Sequence, residues 1–357
     1  MTQQPRDKST TTRSAPPLFL LLACACSALV LALACRTSPI GAPPPSSSSA
    51  GGAAQKTPLP GTPVHRVGDE IVVCGERYHT GTRVVLFSDP RGYDAYRPHR
   101  FFEPDEVAPS QMPDRLARFG SLRRNLEASL AARVERAGWT IEDLRAAVSQ
   151  VILHYDVAGT AKHCFRILHD IRGLSCHFLI DVDGTVYQTL DLKERAWHAG
   201  VANDASIGIE IAQPGAYPTL VKLNEFYATS ADGATVTYPI ADDRRGHIAR
   251  DFVARPARPG VFRGAIHGQT YLQYDFTEEQ YKALEKLLPA LAKIFPRIQP
   301  KIPRDARGQL IWGVLPEKGS LFQGVLGHFH LTTAKADPGP AFDWERVERA
   351  LLPLRTP

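Results

Sequence analysis

The chain has 357 residues, 43% hydrophobic, 22% charged and 8% aromatic, with a formal net charge of +5. That length and apolar content can bury a substantial core in roughly one to three domains. Arg6, Lys8 and Arg13 outweigh Asp7 by two charges, so the balance without residues 1–34 is +3; so weak a bias gives no case for nucleic acid and is compatible with an acidic cell-wall polymer.

Residues 1–14 are polar and basic, and "APPLFLLLACACSALVLALAC" (15–35) follows without a charge. This is the build of an export signal, although the run is also long enough for an uncleaved membrane anchor. Ala32, Leu33 and Ala34 lead directly into Cys35, a tail that resembles the lipobox of bacterial lipoproteins, in which the cysteine carries the lipid. "LLAC" ending at Cys24 fits the same pattern with a shorter apolar core. Either way the basic flank stays inside, and the rest of the chain is expected on the outer, periplasmic side of a membrane. The Pro-, Ser-, Gly- and Ala-rich stretch 36–63 cannot offset its chain entropy by burial and is expected to be a disordered tether. Beyond Cys24, Cys26 and Cys35, three cysteines remain, Cys74, Cys164 and Cys176. An odd number allows at most one disulfide; two buried free thiols are expected at Cys164 and Cys176, with a helix-to-strand bridge as the alternative.

"DEIVVCGERYHTGTRVVLF" (69–87) reads as a hairpin around a Gly-containing centre. The spacing from Asp114 to Trp139 predicts a helix with its arginines on the outer face. Thr140 with Asp143 three residues on starts a second helix by a capping box. "VSQVILHYDV" is a short β-branched run, read as a buried strand ending at His154. "TAKHCFRILHDI" is a helix stopped by Gly173, with His163 and His169 expected to face solvent. "CHFLIDVDGTVYQTL" gives two strands joined by a turn at Asp183 and Gly184, and "ASIGIEIA" another buried strand. Strand, helix, hairpin, strand predicts an α/β fold with a mixed sheet and helices packed on it. Residues 213–264 read as a long insertion. Thr277 and Gln280 cap a helix whose stripe is Tyr281, Leu284, Leu287, Leu288 and Leu291, with a kink expected at Pro289. "FDWERVERALL" is a closing helix.

A hydrolytic zinc site needs about three nitrogen or carboxylate ligands and one open position. His154 at a strand mouth, His328, and Asp337 nine residues later could supply them, with His330 as the rival for the second place.

"LHYDV" at 153, "CHFLIDVDGTVYQTLDLKERAWHAG" at 176, "SIGIEI" at 206 and "GHFHLTTAKADPGPAFDW" at 327 together resemble the type 2, zinc-dependent N-acetylmuramoyl-L-alanine amidases, a family shared by muropeptide amidases, phage lysins and peptidoglycan recognition proteins. The resemblance covers 149–212 and 265–350 and leaves 213–264 unexplained. It implies a central mixed sheet flanked by helices with Zn2+ at the end of the sheet. It also implies His154, His328 and Asp337 as metal ligands, Glu210 as the acid/base group and Lys335 as the cation facing developing negative charge. Trp197 and His198 are candidates for the substrate groove, and His177 for a buttress that is not a ligand. Some relatives carry a tyrosine where Cys176 stands, and the His-to-Asp loop is one residue shorter here.

The expected organisation is a lipoprotein signal (1–35, Cys35), a tether (36–63), an N-terminal hairpin and helices (64–148), and the catalytic domain (149–357). The expected activity is cleavage between N-acetylmuramic acid and L-alanine, on peptidoglycan or muropeptides, by a chain held to the membrane through its lipid. The alternative is a non-catalytic peptidoglycan-binding module of the same fold.

Overall fold

The computed structural model describes residues 66–102 and 117–354. The export segment, Cys35 and the tether lie outside them. β1 (Glu70–Val73) and β2 (Glu76–His79) pair antiparallel about Cys74 and Gly75, both at positive φ, so the hairpin read from the sequence closes with a two-residue turn. β3 (Val84–Leu86) leaves that hairpin for the main sheet.

Between 114 and 139 the structure departs from the single helix expected. Residues 114–116 lie outside the described residues, 117–127 are non-helical and include β4 (Phe119–Gly120), and only Ala128–Ala137 is helical (α1). The reason is two arginines that the periodicity places on a wet face. Arg118 donates from Nε to the carbonyl of His169 (2.7 Å). Arg123 is 1% exposed and donates to five carbonyls, those of Leu192, Glu194, Asn203, Asp204 and Ser206, at 3.0–3.4 Å. A buried guanidinium needs acceptors; these five serve Nη1 and Nη2, and a helix there could not bring the group to them.

α2 (Ile141–Ala147) starts with the capping box at Thr140 and Asp143. β5 (Gln150–Tyr155) follows, then α3 (Ala161–Phe165), which widens into π-helical turns over Arg166–Arg172 and stops at left-handed Gly173. His169 does not face solvent: it is fully buried, bonded to Asp170 (2.6 Å) and to the carbonyl of Arg97 (3.1 Å). β6 (Phe178–Ile180) and β7 (Val186–Gln188) form the expected hairpin. β8 (Arg195–Ala196) pairs with β4, and β9 (Ser206–Ile211) completes this half.

The 213–264 segment holds α4 (Leu220–Asn224) and the small ladder of β10 (Ala228–Thr229) and β11 (Val236–Thr237). Ile248, Ala254, Tyr238 and Phe252 pack there on Val182 and Ala212. β12 (Val261–Ile266) and β13 (Gln269–Tyr274) form an antiparallel hairpin turning at His267 and Gly268. α5 (Glu278–Ile294) has the Thr277–Gln280 capping box and buries the predicted stripe; Pro289 lies inside it without ending it. β14 (Gly324–Gly327) and α6 (Trp344–Leu351) close the fold.

The main sheet runs β14-β5-β9-β6-β7-β3, parallel throughout except between β6 and β7. Both faces of β5 and β9 are covered, which is why their sequences are unbroken apolar runs and not alternating ones. The mixed sheet with flanking helices is the architecture expected. Among the described residues no helix is long and apolar enough to cross a membrane. Cys74, Cys164 and Cys176 are free thiols.

Candidate active site

Three adjacent parallel strands deliver their ends to one place, where open α/β sheets bind ligands. His154 is the penultimate residue of β5, Glu210 stands opposite it in β9, and His328 directly follows β14. The chain then makes one tight turn over His328–His330 and returns with Asp337.

His154 Nδ1, His328 Nδ1 and Asp337 Oδ2 form a triangle with sides of 3.0, 2.9 and 3.0 Å. Tetrahedral zinc with bonds of about 2.0–2.2 Å places neighbouring ligand atoms about 3.3 Å apart, so the triangle fits such an ion after an expansion of a few tenths of an ångström. Two neutral imidazole nitrogens and a carboxylate oxygen also form a donor set that zinc accepts. All three residues are buried. Burial, reinforced by His328, pushes the His154 imidazole down to about 4. At Asp337 burial acts upward, but the bonds from His154 and His328 outweigh it and hold the carboxyl below the usual range. Asp337 is therefore held as a carboxylate and His154 as a neutral ring, the states a cation needs of such ligands.

His330 turns away from this point. Its Nδ1 accepts the Gly327 N–H (2.9 Å) and its Nε2 donates to the carbonyl of Ile311 (2.9 Å). It anchors the turn that carries His328. A second carboxylate and histidine group, Asp69, Glu70 and His79, lies on the first hairpin. There Glu70 is already held by Arg66 and the amides of Val67 and Gly68.

The triangle opens into a pocket lined by Tyr155, Trp197, His198, Glu210, Tyr271 and Lys335, among others. Glu210 has a buried carboxylate oxygen, Oε2, with no hydrogen-bond partner. Burial, then the charges of Asp337 and Asp156, pushes this carboxyl well above its ordinary range. Cys176 is fully buried, and its thiol is raised by burial and by Glu210.

His198 both lines the pocket and braces a member of the triangle. Its Nδ1 lies 3.0 Å from His154 Nε2, and its Nε2 3.2 Å from Ser206 Oγ. With Nδ1 of His154 turned to the triangle, His154 Nε2–H donates to His198, which fixes the ring and its tautomer. Gly208 makes room for this contact, since a Cβ there would sit 2.6 Å from the His198 ring. His177 lies behind, its Nδ1 accepting the Gly208 N–H (3.0 Å) and its Nε2 donating to the Glu194 carbonyl (3.0 Å). It touches none of the triangle atoms.

Burial depresses imidazoles outside the triangle as well, His177 to about 3 and His163 and His330 to about 4, and it pushes the Asp156 carboxyl up to about 7.

Comparison with known families matches residues 144–340, more than half of the chain, to the family described as N-acetylmuramoyl-L-alanine amidase. The chain belongs to that family and is a peptidoglycan amidase by class. No curated protein matches. Among solved structures, it is similar to AmpDh3 from Pseudomonas aeruginosa in complex with anhydromuramic pentapeptide, at 21% identity over 57% of this chain and 59% of that one, with a TM-score of 0.32. It is similar to the amidase AmiD from E. coli in complex with anhydro-N-acetylmuramic acid-L-Ala-D-gamma-Glu-L-Lys, at 19% identity, 60% and 59% coverage and a TM-score of 0.32. A third is the amidase LysC from Clostridium intestinale, at 14% identity, 58% and 88% coverage and a TM-score of 0.31. The chain spans about three fifths of the length of the first two.

Proposed function

We propose that the chain hydrolyses the amide between the lactyl group of N-acetylmuramic acid and L-alanine, with zinc held by His154, His328 and Asp337. The triangle of donor atoms beside an unpartnered buried Glu210 carries this reading. Bound zinc would supply a Lewis acid for the amide carbonyl and lower the pKa of a coordinated water toward about 7. Glu210 takes the proton of the attacking water and returns it to the departing amine of L-alanine. Burial raises its hold on a proton above that of a free carboxyl, which suits a group that must carry one to the leaving amine. Lys335, in the pocket wall, meets the negative charge that develops on the carbonyl oxygen. Trp197 and His198 form one side of the groove, where the sugar or the first peptide residues would lie.

A recognition module of the same fold needs no complete ligand set. The convergence of all three ligand candidates, together with Glu210 and Lys335, favours the enzyme. The substrate class is peptidoglycan or its muropeptide fragments, as in the complexes of AmpDh3 and AmiD. The test is incubation of the full chain with peptidoglycan, with and without zinc, and identification of the products by mass. Peptides beginning at L-alanine and appearing only with zinc are the expected outcome; zinc-loaded protein that binds the wall and cuts nothing would establish the recognition module instead.

We also propose that Cys35 carries a lipid that holds the enzyme to the periplasmic side of a membrane, on the strength of the apolar run ending at that cysteine. Cys35→Ala protein is expected in the soluble fraction, and its retention in membranes would exclude the lipid anchor.

A further inference from the structure

The hairpin β12–β13 starts inside the segment that the family resemblance leaves unexplained, and it lies against the loop that carries Lys335 and Asp337. Gln273 is fully buried and holds the stretch just after Asp337 at two points: its Nε2 donates to the Pro338 carbonyl (3.1 Å) and its Oε1 accepts the Ala341 N–H (2.9 Å). Two glycines permit the approach. A Cβ on Gly339 would sit 2.2 Å from Gln273 Oε1, and one on Gly264 would sit 2.6 Å from the Pro340 side chain. At the tip, His267 Nε2 donates to the carbonyl of Lys335 (3.2 Å). From the other side the Asp337 backbone is held through its carbonyl, which accepts the Phe329 N–H (3.2 Å). Tyr271, two residues from Gln273 and on the same face of β13, enters the pocket wall.

Each of these contacts is to the loop and none to the triangle atoms, so the hairpin acts by placing the loop. The loop backbone between 335 and 341 is exposed to alternative paths wherever it lacks a fixed partner, and a carboxylate ligand must be held within about 0.5 Å to serve a metal. We propose that this hairpin is a working part of the metal centre: Gln273 is a positioning residue that fixes Asp337 for metal binding, and His267 is one that fixes the Lys335 end of the same loop. The inference rests on the zinc reading above.

The test uses the full chain and two variants. Gln273→Met keeps the volume of the side chain and removes both hydrogen bonds; His267→Ala removes the tip contact at a half-exposed site where folding is not at risk. Zinc affinity is read by competition with a chelating dye, and ligand geometry by the absorption of the cobalt(II) form, neither of which needs activity. Gln273→Met is expected to bind zinc about 10- to 100-fold more weakly, the range for partners that orient metal ligands, with an altered cobalt spectrum. His267→Ala is expected to keep zinc affinity within about threefold, and at saturating zinc to lose kcat while KM holds. Folded variants with the affinity, spectrum and kcat of the unsubstituted chain would overturn the proposal, even if their Tm were lower. If Gln273→Met does not fold, unchanged kcat in His267→Ala still overturns it. An unsubstituted chain that binds no zinc would defeat the metal reading itself, and this inference with it.

Discussion

Replacing His154 with alanine is expected to abolish zinc-dependent release of stem peptides, with a loss on the order of 10³-fold or more. The size follows from what the residue holds together. A metal ion acting on a carbonyl and a water is worth several kcal/mol of barrier, and each 1.36 kcal/mol is a factor of ten. His154 supplies one corner of the donor triangle and also the contact through which His198 braces it. The loss should therefore appear in metal content as well as in turnover, and a chelator should reproduce it in the unsubstituted chain. The check is zinc stoichiometry measured alongside peptide release. Full turnover in a His154→Ala protein that has lost its zinc would remove the metal from the reaction.

Glu210→Gln is the second large effect, and it separates chemistry from architecture. The substitution keeps the shape of the side chain in β9 and removes only its capacity to take a proton. General acid–base groups contribute about 10²- to 10⁴-fold, so kcat should fall by that factor while zinc affinity holds. Folding stability should not suffer, because Glu210 contributes no hydrogen bond through its buried Oε2 and resists carrying charge where it sits. Retained or raised Tm with lost turnover is the expected pair of results. A variant that keeps its rate would assign the proton transfer to another group of the pocket.

The sheet was legible because its signals are local, whereas the three corners of the triangle came only from four separated motifs taken together. β5 and β9 are unbroken β-branched runs, the β6–β7 turn is marked by Asp183–Gly184, and both capping boxes sit at the helix starts they mark. His328 and His330 could not be told apart by spacing alone; what separates them is the partner that His330 finds at Ile311, nineteen residues away. The role of His198 was likewise hidden, although the glycine in the middle of "SIGIEI" did mark a close approach to that strand. Arg123 gave no signal, since one arginine among many in an amphipathic pattern reads as solvated until its five acceptors are known. The β12–β13 hairpin gave no signal of its place beside the Asp337 loop, because Gln273 and His267 meet that loop at backbone atoms more than sixty residues along the chain.

The edge strand β3 has a consequence for how much chain the catalytic sheet requires. Residues 144–340, which carry the family match, end the sheet at β7. β3 supplies the backbone partners for Val186–Gln188, and the Gln188 side chain clasps Val72 from both its amide and its carbonyl, at 2.7 and 2.8 Å. Without that N-terminal segment β7 would present a row of bare amides and carbonyls to its surroundings, the template on which foreign strands add and aggregates grow. β3, three residues long and buried at two of them, covers that row, and its own outer edge is occupied in turn: the Val84 N–H donates to the Gly68 carbonyl, the Leu86 N–H to Asp89 Oδ2 and Arg66 Nη2 to the Val84 carbonyl, each at 2.8 Å. The sheet therefore ends on local partners instead of a free template, at the side away from the triangle.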